Sequence, residues 1–434
     1  MMSHARYALH RTITRKLVSV RRINAISNAL NHITSFSTLP QVNQPTLSSP
    51  VDAEPLDRYK KGGYHPMTLG SVLANGRYKI LHKAGWGGYS TVWVARDQRE
   101  ETYVAIKICV SEGESCRSQR ELDTLKKLRA THPGSRHVMH MLDHFDVEGP
   151  NGTHRCLVLE LLGPSVPDLI EARFADGRLP GPLARATAKQ ALLGLDLLHD
   201  QGIAHGDLHT GNLAFAISPM NPTPMPESEI KNLLGKPETG HVHRNDSKSL
   251  GPGIPEYIVR PASTWKWTWP ISDATIKIID FGESFSQQNV PRTLHTPLAL
   301  RAPEVIFQDR LDYRVDLWTL GCMLFELFVG QPPFDSLFTT PSILVGQMHE
   351  IIGEAVPARW MGKWEAMRDG ANVESPGPGL QEWLLEVYFD GERKEDLTKD
   401  DTLKLGRIIQ RLLRFEPSAR ASVKELLDDP WFRD

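Results

Sequence analysis

His205-Gly206-Asp207-Leu208-His209-Thr210-Gly211-Asn212, followed later by Asp280-Phe281-Gly282, is the reading on which the fold turns. Moving a phosphoryl group needs a carboxylate to orient the attacking hydroxyl and accept its proton, and hard oxygen ligands for Mg²⁺. Asp207 suits the first role. Asn212 and Asp280 suit the second, and Gly282 frees the backbone beside the metal ligand. Two carboxylates in loops are by themselves ordinary turn residues, so the weight comes from what precedes them.

Upstream, the turn Ala84-Gly85-Trp86-Gly87-Gly88-Tyr89-Ser90 joins two strand-like runs, Tyr78 to Leu81 and Ser90 to Ala95. Phosphates need close approach of backbone N–H groups, which a Cβ obstructs. Val92 is set to cover a nucleotide base. A glycine-rich hairpin is the bland alternative. The next strand, Tyr103 to Ile108, carries Val104-Ala105-Ile106-Lys107, a lysine among apolar neighbours that needs a partner. Glu121, on a helix read around Arg117 to Ala130 with Leu122, Leu125 and Leu128 at helical spacing, supplies it. Such a pair aims the ammonium at the α- and β-phosphates. The ordered set of glycine turn, Lys107, Glu121, Asp207, Asn212 and Asp280 has a very small chance of arising at random.

That set is continued by Ala302-Pro303-Glu304, Asp316-Leu317-Trp318 and Arg420. It resembles the eukaryotic protein kinases over roughly residues 60 to 432. Within them the chain is similar to the SR-protein kinases through four stretches. These are Tyr59-Lys60-Lys61-Gly62-Gly63-Tyr64-His65-Pro66, Asn75-Gly76-Arg77-Tyr78, Gly85-Trp86-Gly87 and Ser90-Thr91-Val92-Trp93, with a long insertion between Asn212 and Asp280. The resemblance implies an α+β, two-lobed kinase fold: an antiparallel sheet plus one helix in the first lobe and a mainly helical second lobe. It implies ATP and Mg²⁺ as cofactors and serine/threonine hydroxyls of proteins as acceptors. Adenine would be held by the hinge Glu160 to Leu162, with Ala105 and Val92 against the base and Leu159 at the gatekeeper position. Glu304 and Arg420 correspond to the family's structural ion pair, and Asp316 to its buried anchor for the catalytic loop.

Three departures set expectations. Gly206 stands where the family has an arginine that pairs with an activation-loop phosphate; SR-protein kinases also lack it, which implies activity without that phosphorylation. His209 replaces the catalytic-loop lysine, and an imidazole is only partly charged near neutrality. This motivates the alternative of a pseudokinase or nucleotide-binding scaffold, whereas the His-Gly-Asp pattern alone also suits small-molecule phosphotransferases. Thr296 to Arg301 is one residue longer than in typical relatives and lacks their aromatic, which bears on arginine–serine specificity.

Residues 1–56 are read as a basic N-terminal segment and linker, 57–162 as the first lobe, and 163–434 as the second with an insertion at about 216–273. From Met1 to Val51 there is no acidic residue, while Arg6, Arg11, Arg15, Lys16, Arg21 and Arg22 recur among Ser and Thr. If residues 1–50 act as a presequence, the chain is mitochondrial; otherwise cytoplasm and nucleus are expected. Leu39 to Pro55 reads as a Pro/Ser/Gln-rich linker.

A formal net charge of −2 over 434 residues gives no argument for direct nucleic-acid binding. Cys109, Cys116, Cys156 and Cys322 form no C-x-x-C pair, so free thiols are expected. No stretch reaches the roughly 20 apolar residues of a membrane span. The best, Val315 to Val329, carries Asp316 and Glu326 and reads as a core helix. A monomer acting on protein substrates, arginine–serine-rich ones among them, is the expected state. Glu382, Glu386, Asp390, Glu392, Glu395 and Asp396 are candidates for an acidic docking groove, although a run of charge is more often a solvated face.

Overall fold

A computed structural model describes residues 46–111, 116–217, 226–246, 248–262, 274–334, 339–368, 379–391 and 393–433. The presequence segment, apart from its last few residues, and Glu392 lie outside them.

The first lobe is a six-stranded antiparallel sheet. In spatial order its strands are Val72–Leu73, Tyr78–Gly87, Ser90–Asp97, Thr102–Cys109, Gly152–Glu160 and Met141–Gly149. The β-branched and aromatic runs read from the sequence form its centre, with Ile80, Trp93, Ile106 and Val158 in one buried layer. The helix Cys116–Thr131 packs Leu122, Leu125 and Leu128 into the main core, so Glu121, on the same turn as Leu122, faces the lysine strand.

The chain crosses at Glu160 and enters a small sheet ordered Ile276–Ile278, Leu213–Ala216, Leu162–Ser165. The helix Gly181–Asp200 packs against its Ile276–Ile278 strand, and next to that helix lies Val315–Val329, in which every residue except Glu326 is buried. A helix apolar on all faces is stable only with neighbours on all sides. The helices Gly181–Asp200 and Lys399–Leu412 supply them. It ends at Gly330, whose φ of 81° is the left-handed cap that glycine favours. No helix among the described residues is long and apolar enough to cross a membrane.

Two segments differ from their sequence reading. The end of the proposed linker is docked: Leu47–Ser48 pairs antiparallel with His243–Arg244. The buried carboxylate of Glu54 accepts hydrogen bonds from Lys83 and from the Tyr59 hydroxyl. The insertion, read as having little periodicity, carries a helix, Glu227–Leu234, and a strand pair, Thr239–His241 with Tyr257–Val259. Ile230, Leu233 and Leu234 of that helix close over Val94, and Val259 joins the core of the first lobe.

Candidate active site

The loop 205–212 is held from below. Asp316, fully buried, accepts the N–H groups of His205 (2.7 Å) and Gly206 (2.8 Å) and a bond from His199 Nε2 (3.0 Å). His205 Nε2 donates to the Ile279 carbonyl at 3.0 Å, while its Nδ1 accepts from the Asp207 N–H. Ile279 N–H donates in turn to the Asn212 carbonyl at 2.9 Å. These bonds sew the two motif loops together, so Asp207, Asn212 and Asp280 share one end of the cleft. Asn212 Nδ2 also donates to the Asp207 carbonyl at 2.7 Å.

Lys107 Nζ lies 2.7 Å from Glu121 Oε1 and 2.8 Å from Asp280 Oδ1. Burial alone would lower its pKa, but Asp280 and Glu121 outweigh that and hold it above the ordinary lysine value, so it stays charged. Burial likewise pushes the Asp280 carboxyl up; Lys107 and the Gly282 N–H win and leave it below the usual carboxylate range. Asp280 has φ of 61°, a left-handed conformation that Asp tolerates better than bulkier residues. A Cβ on Gly282 would stand 3.2 Å from Asp280 Oδ1, a tight contact beside the carboxylate.

Asp207 is the opposite case. Its Oδ1 is buried and has no hydrogen-bond partner. Burial, then the charges of Asp280 and Glu283, push its pKa up to about 7. An orphaned carboxylate oxygen of this kind is poised to accept a hydrogen bond from an incoming group.

The remaining expected nucleotide contacts are carried by the first-lobe strands and the crossing at Glu160. At Gly85, Gly87 and Gly88 an added Cβ would meet nothing within 4 Å, and none of the three has positive φ. The protein's own packing therefore does not require glycine there, and the open side suits a ligand's approach. Trp86 is exposed, Ser90 buried; Val92 lies across from Lys107 in the strand register, and Ala105 opposite Leu159. Glu160 turns its carboxylate to Lys277 (2.7 and 2.8 Å) and to the His140 N–H, leaving backbone at the hinge, with Leu162 half-buried beyond it. Asn212 and Asp280 offer hard oxygens that fit Mg²⁺. Among the described residues no group of three histidine, cysteine or carboxylate side chains forms a complete cage.

A protein kinase domain model matches residues 78–220 and 270–432, stepping over the insertion. The chain belongs to the protein kinase family. Relatives of this kinase-family chain include a serine/threonine protein kinase of Aspergillus fumigatus, 29% identical over 90% of this chain and 93% of that protein. The serine/threonine-protein kinase SRPK of Physarum polycephalum is 29% identical over 88% and 91% respectively. SRSF protein kinase 3 of Homo sapiens is 36% identical over 41% of this chain and 32% of its own length.

Other family positions take their places. Arg420 donates to both oxygens of Glu304 at 2.6 and 2.7 Å, with both side chains buried. Gly206 has φ of 80°, and a Cβ there would lie 2.5 Å from the Glu283 carbonyl oxygen. The family's arginine is thus excluded by backbone geometry as well as absent. Gly206→Ala is expected to cost about 1–3 kcal/mol, read as a lower urea midpoint; an unchanged midpoint would show that the loop relaxes freely.

Two expectations need correction. His209 is not half-charged near neutrality. Burial, then His205, lowers its pKa to about 4, and its Nδ1 accepts the Gly211 N–H at 3.0 Å, which leaves the proton on Nε2. The ring caps the short turn Thr210–Asn212 that presents Asn212. The acidic docking set is also thinner than the sequence suggested. Asp390 is paired with Arg393 at 2.9 Å, and Asp396 accepts the Gly181 N–H at 2.7 Å and the Tyr388 hydroxyl. Glu382, Glu386 and Glu395 are the members of the set exposed at the surface.

Sequence reading missed Arg117. Its Nε donates to the Gly282 carbonyl at 3.2 Å, its Nη2 pairs with buried Glu283, and its guanidinium lies 3.8 Å from the Tyr89 ring centroid. The available signal was its position four residues before Glu121 on one helix face.

Proposed function

We propose that the chain is an active serine/threonine protein kinase that transfers the γ-phosphate of ATP to protein hydroxyls. The observation that carries this is the convergence of the unpartnered Asp207 Oδ1 with Asn212, Asp280 and a charged Lys107 in one cleft. Bound Mg²⁺·ATP supplies the phosphoryl group and the charge neutralisation that its transfer requires. Asn212 and Asp280 would hold the metal. Lys107, fixed by Glu121, would hold the α- and β-phosphates, and the hinge backbone the adenine. Asp207 would orient the acceptor hydroxyl and take its proton as the new P–O bond forms and the bond from the γ-phosphorus to the departing ADP oxygen breaks. Serine/threonine relatives along most of the chain support this reading.

The pseudokinase alternative rests on His209. Label transfer from ATP to an arginine–serine peptide, set beside a generic basic protein, separates the two and reports acceptor preference. His209, with its pKa lowered to about 4, is neutral throughout the physiological range. His209→Lys is therefore expected to leave any activity loss below about pH 7 in place. If that acid limb disappears in the variant, the limb belongs to the imidazole.

A further inference from the structure

The glycine hairpin has outside help that the kinase reading does not use. The Tyr64 hydroxyl donates to the Gly87 carbonyl at 2.8 Å, and Arg58 Nη2 donates to the Gly88 carbonyl at 2.7 Å. Both donors come from the segment Leu56 to Pro66, which precedes the residues matched by the family model. We propose that Arg58 and Tyr64 are positioning residues of the nucleotide site, and that this N-terminal strap, braced by the insertion, presets the phosphate loop. The inference rests on the nucleotide-binding half of the function proposed above.

The physical argument begins with the peptide unit. In a planar trans peptide the carbonyl and the following N–H point in opposite directions. Pinning the carbonyls of Gly87 and Gly88 to the strap therefore turns the N–H groups of Gly88 and Tyr89 away from it. Backbone N–H groups turned to one side are what a phosphate needs. A turn with glycines at 85, 87 and 88 has much conformational freedom to lose when a ligand orders it. Fixing it beforehand lowers the entropy lost on binding.

The strap is built to hold still. Gly62 has φ of 83°, and a Cβ on Gly63 would stand 1.8 Å from the Arg58 carbonyl oxygen, so this tight turn requires glycine at both positions. Tyr64 is 1% exposed and packs with Val51, Tyr59, Val242 and Ile258, the last two from the insertion. Asn151 Nδ2 donates to the Tyr64 carbonyl at 2.7 Å and to the Gly253 carbonyl at 2.8 Å, joining strap and insertion through one amide. Below the hairpin, Glu54 is locked to Lys83, the residue just before Ala84. The insertion thereby gains a structural role, since it closes the far side of the cluster that aims Tyr64.

The test uses the full chain with Tyr64→Phe, which keeps the ring, and with Arg58→Ala at a half-exposed site; neither threatens folding. Affinity for Mg²⁺·ADP is measured by calorimetry, and exchange of the amides of residues 84–90 by hydrogen–deuterium exchange. Each variant is expected to bind nucleotide about fivefold to twentyfold more weakly. KM for ATP should rise by a similar factor, with kcat at saturating ATP within about twofold, and loop exchange should quicken while Thr102–Cys109 stays protected. Arg58→Lys, which keeps a donor, should recover part of the loss. Nucleotide affinity and loop protection within about twofold of the parent in both variants overturn the inference alone. A parent chain with no affinity for Mg²⁺·ADP overturns it together with the kinase reading.

Discussion

Asp207→Asn is expected to lower kcat by about 10²–10⁴-fold while nucleotide affinity stays within a few-fold of the parent. The substitution keeps shape and removes only the ability to accept a proton. Its neighbours would remain as they are: Asp207 N–H still donates to His205, and the Asp207 carbonyl still accepts from Asn212. Because burial and the charges of Asp280 and Glu283 raise this carboxyl to about 7, parent activity should also titrate. Only the ionised form can take the hydroxyl proton, so kcat/KM should fall below about pH 7, approaching tenfold per unit, and level above it. The limb should lie lower in kcat, since positive charge beside Asp280 relieves the repulsion. The same shift has a stability consequence. A carboxyl raised in the folded chain favours folding fully below its unfolded pKa near 4, and that contribution is lost as pH rises through about 7. Asp207→Asn should therefore melt about 2–4 °C above the parent at pH 8 and gain nothing at pH 4. Parental turnover in the variant would remove Asp207 from the mechanism.

The second large effect is on stability. Arg420→Ala is expected to cost about 3–5 kcal/mol, measured as a shift in the denaturant midpoint. Arg420 donates to both Glu304 oxygens, to the Arg314 carbonyl at 2.8 Å and to the Arg414 carbonyl at 3.0 Å, with almost none of its side chain exposed. Removing it strands a buried carboxylate and two carbonyls. The double change Arg420→Met with Glu304→Gln should cost less than the sum of the single changes, because neither leaves the other charge unpaired. Glu304 lies in the first turn of the short helix Pro303–Ile306. A midpoint shift worth less than about 1 kcal/mol would show that the pair only decorates this corner.

What the sequence disclosed follows from how locally each feature is determined. Val315–Val329 was legible to the residue because a predominantly apolar run bounded by Arg314 and Gly330 has one stable environment. Lys107 with Glu121 was legible because a lysine on a buried strand demands an anion, and the next helix offers one at the right depth. Other features depend on tertiary encounter. Arg58 looks like any surface arginine until the hairpin carbonyls arrive above it. Glu54 sits in a Pro/Ser-rich stretch, and only Lys83, buried beside it, reveals that the stretch is docked. Asp390 and Asp396 look like surface charge, but Arg393 and the start of helix Gly181–Asp200 claim them. The neutrality of His209 follows from its burial and the Gly211 N–H, neither of which residue type discloses.

The most direct measurement is time-dependent transfer of label from γ-labelled ATP to serine and threonine of protein acceptors by the purified full chain, with Mg²⁺ and with chelator. The account predicts incorporation that needs Mg²⁺ and is absent in Asp280→Asn. Binding of Mg²⁺·ATP without label in any acceptor, under conditions where a known serine/threonine kinase turns over, would contradict it and leave a nucleotide-binding scaffold.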